Sequence, residues 1–180
     1  MIPVAFYYYM EESGSAAGPG MLGIVSDSYI RLIPTNPDWQ PTHEAAVAAV
    51  AYVASLFSGP DDAVEEVKYE FYNRVTLIDA GEYTSLITCS RCGGDIGLDW
   101  LGDLVRGNGS LSFDHLDVTV PCCRAVVPLN SLHYDSPIGF ARFEVSAMNP
   151  TRAQYELDAE ELGRVADLLG HPVAQILAHY

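Results

Sequence analysis

The cysteines of this chain form two close pairs, and their spacing constrains the fold more than any other feature of the sequence. Cys89 and Cys92 are separated by two residues and precede Gly93, whereas Cys122 and Cys123 are adjacent and follow after an interval of 29 residues. Thiolates two residues apart can bind one metal ion in a knuckle, and the glycine permits the turn that a knuckle needs. The spacing therefore predicts one zinc site with strands on either side of each cysteine pair, as in a zinc ribbon.

The second pair departs from the usual ribbon, in which both knuckles have the C-x-x-C spacing. Neighbouring Cα atoms lie about 3.8 Å apart, close to the sulfur–sulfur separation around a tetrahedral zinc ion with bonds of about 2.3 Å. Both Cys122 and Cys123 can therefore bind the same ion. A site of three cysteines completed by His115, His133 or Asp135 remains open as an alternative.

The surroundings of the cysteines do not favour catalysis. His115 and Asp117 precede Pro121 and the second pair, as in nucleobase deaminases, but the glutamate and the C-x-x-C spacing of those enzymes are missing. Four thiolates would also leave no open position for water on the metal. We therefore predict a structural zinc ion in a protein that is not an enzyme.

The outer parts of the chain alternate between strand and helix patterns. Thr42 is a typical N-cap, Gly59-Pro60 a helix stop, and Asp158 with Glu161 a capping box. Along residues 67–78 apolar side chains occupy every second position and predict a strand with one apolar face. Strands are predicted over residues 1–10, 21–33, 67–78, 83–88, 140–148 and 172–180.

This order of elements predicts an α+β fold. Two strand–helix–strand units on either side of an insertion are typical of a ferredoxin-like sandwich, an antiparallel sheet with two helices on one face. Residues 1–82 and 139–180 would form the two halves of this domain, with the strand over residues 1–10 as an extra one. Residues 83–138 would form an inserted zinc-ribbon-like subdomain.

The charge of the chain is strongly acidic, because 24 acidic residues face nine basic ones and give a net charge of −15. Residues 1–66 contribute −8 and residues 67–180 contribute −7, so the excess is spread over the chain. Such a surface repels the phosphate backbone of nucleic acids and favours a basic protein partner. The alternative is that the acidity only maintains solubility.

The sequence also favours the cytoplasm. The most apolar stretch, residues 45–57, is too short to span a membrane, and the first residues lack the basic region and cleavage site of a secretory signal. In a reducing compartment the cysteines are expected to bind metal rather than form disulfides.

Two segments of the C-terminal half resemble a group of uncharacterised bacterial proteins that have a C-x-x-C and a Pro-Cys-Cys segment. They are PCCRAVVPLNSLHYDSPIGFARFEVSAMNP and LGHPVAQILAHY. The resemblance implies a metal site and carries no established activity. We therefore expect an acidic cytoplasmic zinc-binding protein that acts through protein–protein interaction, in its most concrete form an immunity or antitoxin-type inhibitor of a basic toxin. An accessory or regulatory subunit of a larger assembly, or a small zinc-dependent enzyme, are the alternatives.

Overall fold

A computed structural model describes residues 26–81 and 83–180 and gives a mixed α+β fold with antiparallel sheets. The predicted strand over residues 1–10 and the start of the one over residues 21–33 lie outside the described residues. The helices are α1 (His43–Ser55), α2 (Leu98–Asn108) and α3 (Ala159–Leu169). The strands are β1 (Ser28–Pro34), β2 (Glu66–Ile78), β3 (Ile87–Thr88), β4 (Asp95–Ile96), β5 (Ser112–Phe113), β6 (Asp117–Thr119), β7 (Val126–Pro128), β8 (His133–Tyr134), β9 (Gly139–Met148) and β10 (Val173–His179).

The largest sheet has the strand order β10-β1-β9-β2-β5. Four of its strands come from the outer parts of the chain, and its edge strand β5 comes from the segment between β2 and β9. Each neighbouring pair in it is antiparallel. Its central strands include β9 and its neighbour β2, the two longest strands. Both contain aromatic and β-branched residues, which favour strand formation. The predicted strands over residues 67–78, 140–148 and 172–180 are confirmed to within a residue or so at each end.

Both helix starts and the end of α3 follow local capping signals, whereas α1 ends at Ser55, before the predicted stop at Gly59-Pro60. The Thr42 side chain accepts a hydrogen bond from the N–H of Ala45 and starts α1. Asp158 and Glu161 form the predicted capping box of α3, and Gly170 ends that helix in the left-handed conformation with a φ of 82°. These local interactions explain why sequence alone located both helices.

Helices α1 and α3 pack against each other and against the main sheet. Their buried residues, including Ala49, Val53 and Val165, join Phe143 and Val145 of β9 in one apolar core. Small alanines on α1 allow this helix to approach the sheet closely. Burial of this core is the main stabilising contribution to the outer part of the molecule.

Strand β2 contributes to more than one core, which the simple alternation did not predict. Its pairing with β9 shifts register between Phe71 and Thr76. Phe71 therefore packs with the first core, whereas Val75 and Leu77 pack with Phe140 in a second core. The prediction of one continuous apolar face along this strand was wrong at the register shift.

Most residues of the second core come from the segment between β2 and β9. Here β4, β3 and β8 form a three-stranded sheet, and β6 pairs with β7. The predicted strand over residues 83–88 is reduced to β3, and helix α2 was not predicted. Its two glycines, Gly102 and Gly107, lower helix propensity and hide the pattern.

None of the helices in the described part of the chain is long and apolar enough to cross a membrane.

Candidate metal centre

The first cysteine pair lies in a tight turn between β3 and β4. The N–H of Cys89 donates to the carbonyl of Gly94 at 2.9 Å, and the N–H of Gly93 donates back to the carbonyl of Cys89 at 2.9 Å. Gly93 has a φ of 71°, a conformation that glycine adopts at little cost. The turn directs the sulfurs of Cys89 and Cys92 to the same side, as a metal knuckle requires.

The second cysteine pair lies in a turn with the same backbone hydrogen bonds, between β6 and β7. The N–H of Val120 donates to the carbonyl of Ala125 at 3.0 Å, and the N–H of Arg124 donates to the carbonyl of Val120 at 3.0 Å. Arg124 has a φ of 57° and so takes the left-handed conformation found at the glycine of the first turn.

Matching the two turns explains the unusual adjacent cysteines. Val120 stands where the first knuckle has Cys89, and Cys123 stands where it has Cys92. Both Cys89 and Val120 are almost fully buried, at 1% and 0% exposure. Cys122 stands at the position of Arg91, between the two usual ligand positions. The second turn therefore has the backbone of a C-x-x-C knuckle, but Val120 replaces the first cysteine. The thiol missing at that position is supplied by Cys122, at the third position of the turn.

The four sulfur atoms are brought together from these two turns. All lie within 4.8 Å of one another, the Cys89–Cys123 pair at 4.0 Å and the Cys92–Cys122 pair at 3.5 Å. A tetrahedral ion with metal–sulfur bonds of about 2.3 Å needs sulfur–sulfur separations of about 3.8 Å. The cluster therefore has the size and the donor chemistry to hold a metal ion.

The surroundings of the thiols shift their pKa values in different directions. The N–H groups of Cys92 and Arg91 lower the pKa of the Cys89 thiol to about 7. Desolvation and hydrogen bonds with the neighbouring thiols raise the pKa of Cys122 to about 12. The N–H of Ala125 lowers the pKa of Cys123, but desolvation and the neighbouring sulfurs outweigh it, and the net direction is upward. The Cys89 thiol therefore ionises readily, whereas Cys122 and Cys123 need a cation nearby to compensate the accumulated charge.

The alternative ligands weighed from the sequence do not join this cluster. Among the described residues, the group of potential ligands contains the four cysteines and none of His115, His133 or Asp135. Asp135 instead accepts hydrogen bonds from the backbone N–H and the hydroxyl of Ser85 and from the N–H of Ser136. These bonds, that of the Ser85 hydroxyl foremost, lower the pKa of Asp135 to about 2.

A buried ion pair in the main sheet was missed by the sequence analysis. Arg31 of β1 and Glu144 of β9 approach to 3.6 Å, and the Tyr72 hydroxyl donates to the other carboxylate oxygen at 2.7 Å. The Arg31 Nε and the Glu144 Oε2 are buried without a hydrogen-bond partner. The signal was a charged residue within each of two largely apolar strands, Arg31 in β1 and Glu144 in β9, but their pairing depends on the strand order.

A serine–histidine contact at the end of β10 was also missed. His179 Nε2 lies 2.7 Å from the Ser26 hydroxyl, and its Nδ1 lies 3.0 Å from the Ser28 hydroxyl. The Tyr83 ring stacks on the imidazole. In a Ser-His-Asp catalytic triad a carboxylate accepts a hydrogen bond from the histidine Nδ1. Here the group at Nδ1 is the Ser28 hydroxyl, so the arrangement is not a catalytic triad of that kind.

Comparison with known proteins adds no relative: no family model, curated protein or solved structure matches this chain. The resemblance to bacterial proteins with C-x-x-C and Pro-Cys-Cys segments therefore stays an expectation. The functional proposal below rests on the geometry of the cysteine cluster and on the charge of the surface.

Proposed function

We propose that this chain is a zinc-binding protein whose ion is held by Cys89, Cys92, Cys122 and Cys123. The observation that carries the proposal is the convergence of four sulfurs, from two turns with matching hydrogen bonds, at separations close to those of a tetrahedral site. Zinc suits four thiolates, as does iron. Zinc is the ion we expect, because tetrathiolate sites in small knuckles are most often zinc sites.

The role of the zinc ion is structural. Four thiolates complete a tetrahedral coordination sphere and leave no position for a substrate or an activated water. The ion ties the turn between β3 and β4 to the turn between β6 and β7, which otherwise belong to separate small sheets. We propose that residues 83–138, which contain both turns, form an inserted zinc-ribbon-like subdomain held together by this ion.

The ferredoxin-like sandwich is the fold we propose for the outer elements. The order β10-β1-β9-β2, with α1 and α3 packed together, supports this topology. The insertion follows β2 and precedes β9, at the central hairpin of such a sandwich.

Protein–protein interaction with a basic partner is the activity we propose. Three of the nine basic residues, Arg31, Arg142 and Arg152, are only partly exposed, and Arg31 and Arg152 pair with glutamates of this chain. Five acidic residues, Asp27, Asp62, Asp79, Glu144 and Glu161, are likewise partly or fully buried, so acidic side chains still outnumber basic ones on the described surface. Complementary charge accelerates association with a basic partner. An immunity or antitoxin-type inhibitor of a basic toxin, in a reducing compartment such as the cytoplasm, is the most specific form of this proposal.

Metal analysis tests the zinc site. Protein purified under reducing conditions should contain one zinc ion per chain by plasma mass spectrometry, and its thiols should react slowly until the ion is removed. Cys89→Ser, which removes the buried ligand, should abolish stoichiometric binding, whereas Ser90→Ala should not. Stoichiometric iron instead of zinc would confirm the four-cysteine metal site and show that the identity of the ion was wrong. Unmodified protein without stoichiometric metal and with four freely reactive thiols would refute the proposal.

Affinity capture tests the basic partner. The acidic segment 61–66 offers the exposed side chains of Asp61, Glu65 and Glu66. Reversing these three charges to lysine should abolish the capture of a basic protein that binds at low salt and elutes as salt is raised. A matched control reverses Asp99, Asp103 and Asp114 in the insertion. If no basic protein is retained at low salt, the partner part of the proposal fails and the zinc site stands.

A further inference from the structure

The outer edge of β2 is open along the first half of the strand. On one side β2 pairs with β9 from Glu66 onward, and on its other side β5 pairs with Val75 and Thr76. Within the described part of the chain no strand pairs with residues 66–74 on that second side. An open strand edge presents N–H and C=O groups with which a strand of another chain can pair.

The backbone groups of every second residue point outward on this edge. The Nε2 of Gln40 donates to the carbonyl of Tyr72 at 3.1 Å and to the carbonyl of Arg142 in β9 at 2.8 Å, so the Tyr72 carbonyl points towards β9. The backbone groups of successive strand residues point to opposite edges. The residues that offer their N–H and C=O groups to the open edge are therefore Val67, Tyr69 and Phe71.

Charged side chains of both signs alternate along the same stretch. Glu66, Lys68 and Glu70 are exposed on the face of the sheet that lies away from the first core, and Lys68 is the only lysine of the chain. Charges on an edge strand ordinarily prevent pairing, because a second strand would bring like charges together. Here a strand with the same alternation can meet each charge with the opposite sign.

A second copy of β2 provides this complementary strand. When two identical strands pair antiparallel about a two-fold axis, one residue lies opposite itself. The register that spans residues 66–72 in both copies has Tyr69 at the axis, and Lys68 of each copy then lies opposite Glu70 of the other. With Lys68 at the axis, Lys68 would meet Lys68 and Glu66 would meet Glu70. Opposite charges directly across from each other stabilise a sheet and like charges destabilise it, so the charges select the register with Tyr69 at the axis.

The flank of α1 beside the open edge is also suited to contact with a second copy. The His43 ring lies 5.6 Å from the Tyr69 ring and 5.3 Å from the Phe71 ring, measured between centroids. Val47 lies one turn further along this flank and is 55% exposed. Because a two-fold axis perpendicular to the sheet keeps both α1 helices on the same face, it brings these two flanks towards each other.

We propose that this chain forms a symmetric dimer in which β2 of one copy pairs antiparallel with β2 of the other, with Tyr69 at the two-fold axis. The two five-stranded sheets then join into one continuous sheet. The interface contains two Lys68–Glu70 pairs and the backbone hydrogen bonds of Val67, Tyr69 and Phe71. This proposal is independent of the metal site.

Sedimentation velocity over a range of concentrations tests the dimer. Reduced, zinc-loaded protein should sediment as a species with twice the mass of one chain. Lys68→Glu should raise the dissociation constant about tenfold or more, because it turns both opposite-charge pairs into like-charge pairs. Arg164→Glu is a matched control, since it makes the same change in net charge at an exposed residue of α3, which packs against α1 and β10. The control should dimerise as the unmodified protein does.

A charge exchange tests the register. The double variant Lys68→Glu/Glu70→Lys has the composition and net charge of the unmodified protein and restores both opposite-charge pairs about Tyr69. Its dissociation constant should return to within about threefold of the unmodified value, whereas Glu70→Lys alone should weaken the dimer as Lys68→Glu does. An exchanged variant that dissociates as readily as the single variants overturns the proposal. All three side chains involved are exposed in one copy, so unchanged circular dichroism should show that each chain remains folded.

Hydrogen exchange locates the interface on the edge of β2. The amides of Val67, Tyr69 and Phe71 should be protected in the unmodified protein and exchange faster in Lys68→Glu. A protein that is monomeric at every concentration, or a dimer that Lys68→Glu leaves unchanged, overturns the proposal. Protection of these three amides in a monomer would show that another part of the chain covers the edge, and would overturn it too. Each of these outcomes leaves the zinc site standing.

Discussion

Single residues with unusual surroundings identify where the molecule is most sensitive to substitution. Glu144 is 6% exposed and shares its carboxylate between Arg31 and Tyr72. Burying both charges costs solvation free energy that the ion pair only partly offsets, and each partner depends on the other. Removing one partner should therefore leave the other charge buried without compensation.

Glu144→Gln should destabilise the protein by about 2 kcal/mol, because it leaves the partly buried Arg31 guanidinium without a counter-charge. Urea unfolding of the zinc-loaded protein measures the change. Glu70→Gln is a matched control, since Glu70 lies directly opposite Glu144 in the β2–β9 register but is exposed. The control should be neutral or slightly stabilising, because it relieves a like-charge pair. Equal stability of the two variants would contradict the assigned role.

Asp135→Asn should weaken the attachment of the segment before β3, because the carboxylate accepts hydrogen bonds from Ser85 and Ser136. The folded-state pKa of Asp135 lies near 2, below its ordinary value of 3.8. Its contribution is therefore fully present above about pH 4 and is lost as the pH falls through about 2. Solvent screening limits it to about 1 kcal/mol or less.

Urea unfolding of metal-free, reduced Asp135→Asn and unmodified protein at several pH values checks this expectation. The difference in the free energy of unfolding should be constant from pH 7 to about pH 4 and vanish near pH 2. Working without metal removes the effect of metal release in acid. A difference that persists at pH 2 would show that the loss arises from packing and not from the charge.

At the scale of elements, the two knuckles share one backbone design and differ in the residue at the strained position. Gly93 and Arg124 both take positive φ, at 71° and 57°. Glycine adopts this conformation freely, whereas a residue with a Cβ atom pays for it. The second knuckle is therefore the more strained one, and its strain coincides with the displaced cysteine.

Arg124→Gly should leave the second knuckle folded and change stability by less than about 1 kcal/mol, since relief of strain opposes the greater freedom of glycine in the unfolded chain. Gly93→Ala should destabilise by about 1 kcal/mol or more at the equivalent position. Thermal unfolding of both variants, with zinc content measured in parallel, provides the comparison. A larger loss from Arg124→Gly than from Gly93→Ala would contradict the equivalence of the two turns.

At the scale of the whole molecule, two cores meet along β2 and β9. Val75, Leu77 and Phe140 belong to the core of the inserted segment although they lie on strands of the main sheet. The inserted segment thus contributes most residues of a substantial apolar core. Metal binding and the folding of the main sheet should be coupled through these three side chains.

Removing zinc with a chelator, under reducing conditions, should loosen the molecule locally rather than unfold it. Hydrogen exchange should accelerate most in β3, β4, β6 and β7, and less in the second half of β2, because its side chains pack on the insertion. Strands β1 and β10, remote from that core, should be unaffected. Uniform acceleration across all strands would show that the protein unfolds as one unit without metal.

Local sequence determined much of this protein. The capping residues of α1 and α3 and the alternation along β2 placed these elements, because their signals act between residues close in the chain. The close spacing within each cysteine pair marked the candidate metal ligands for the same reason. Helix α2 escaped prediction because its glycines weaken the local signal.

Tertiary structure decided what depends on contacts between distant segments. The register shift in β2, the pairing of Arg31 with Glu144 and the strand order all require partners far away in sequence. The same is true of the cysteine cluster. Only the matching hydrogen bonds of two separate turns reveal that Val120 holds a ligand position and that Cys122 supplies the fourth sulfur from outside it.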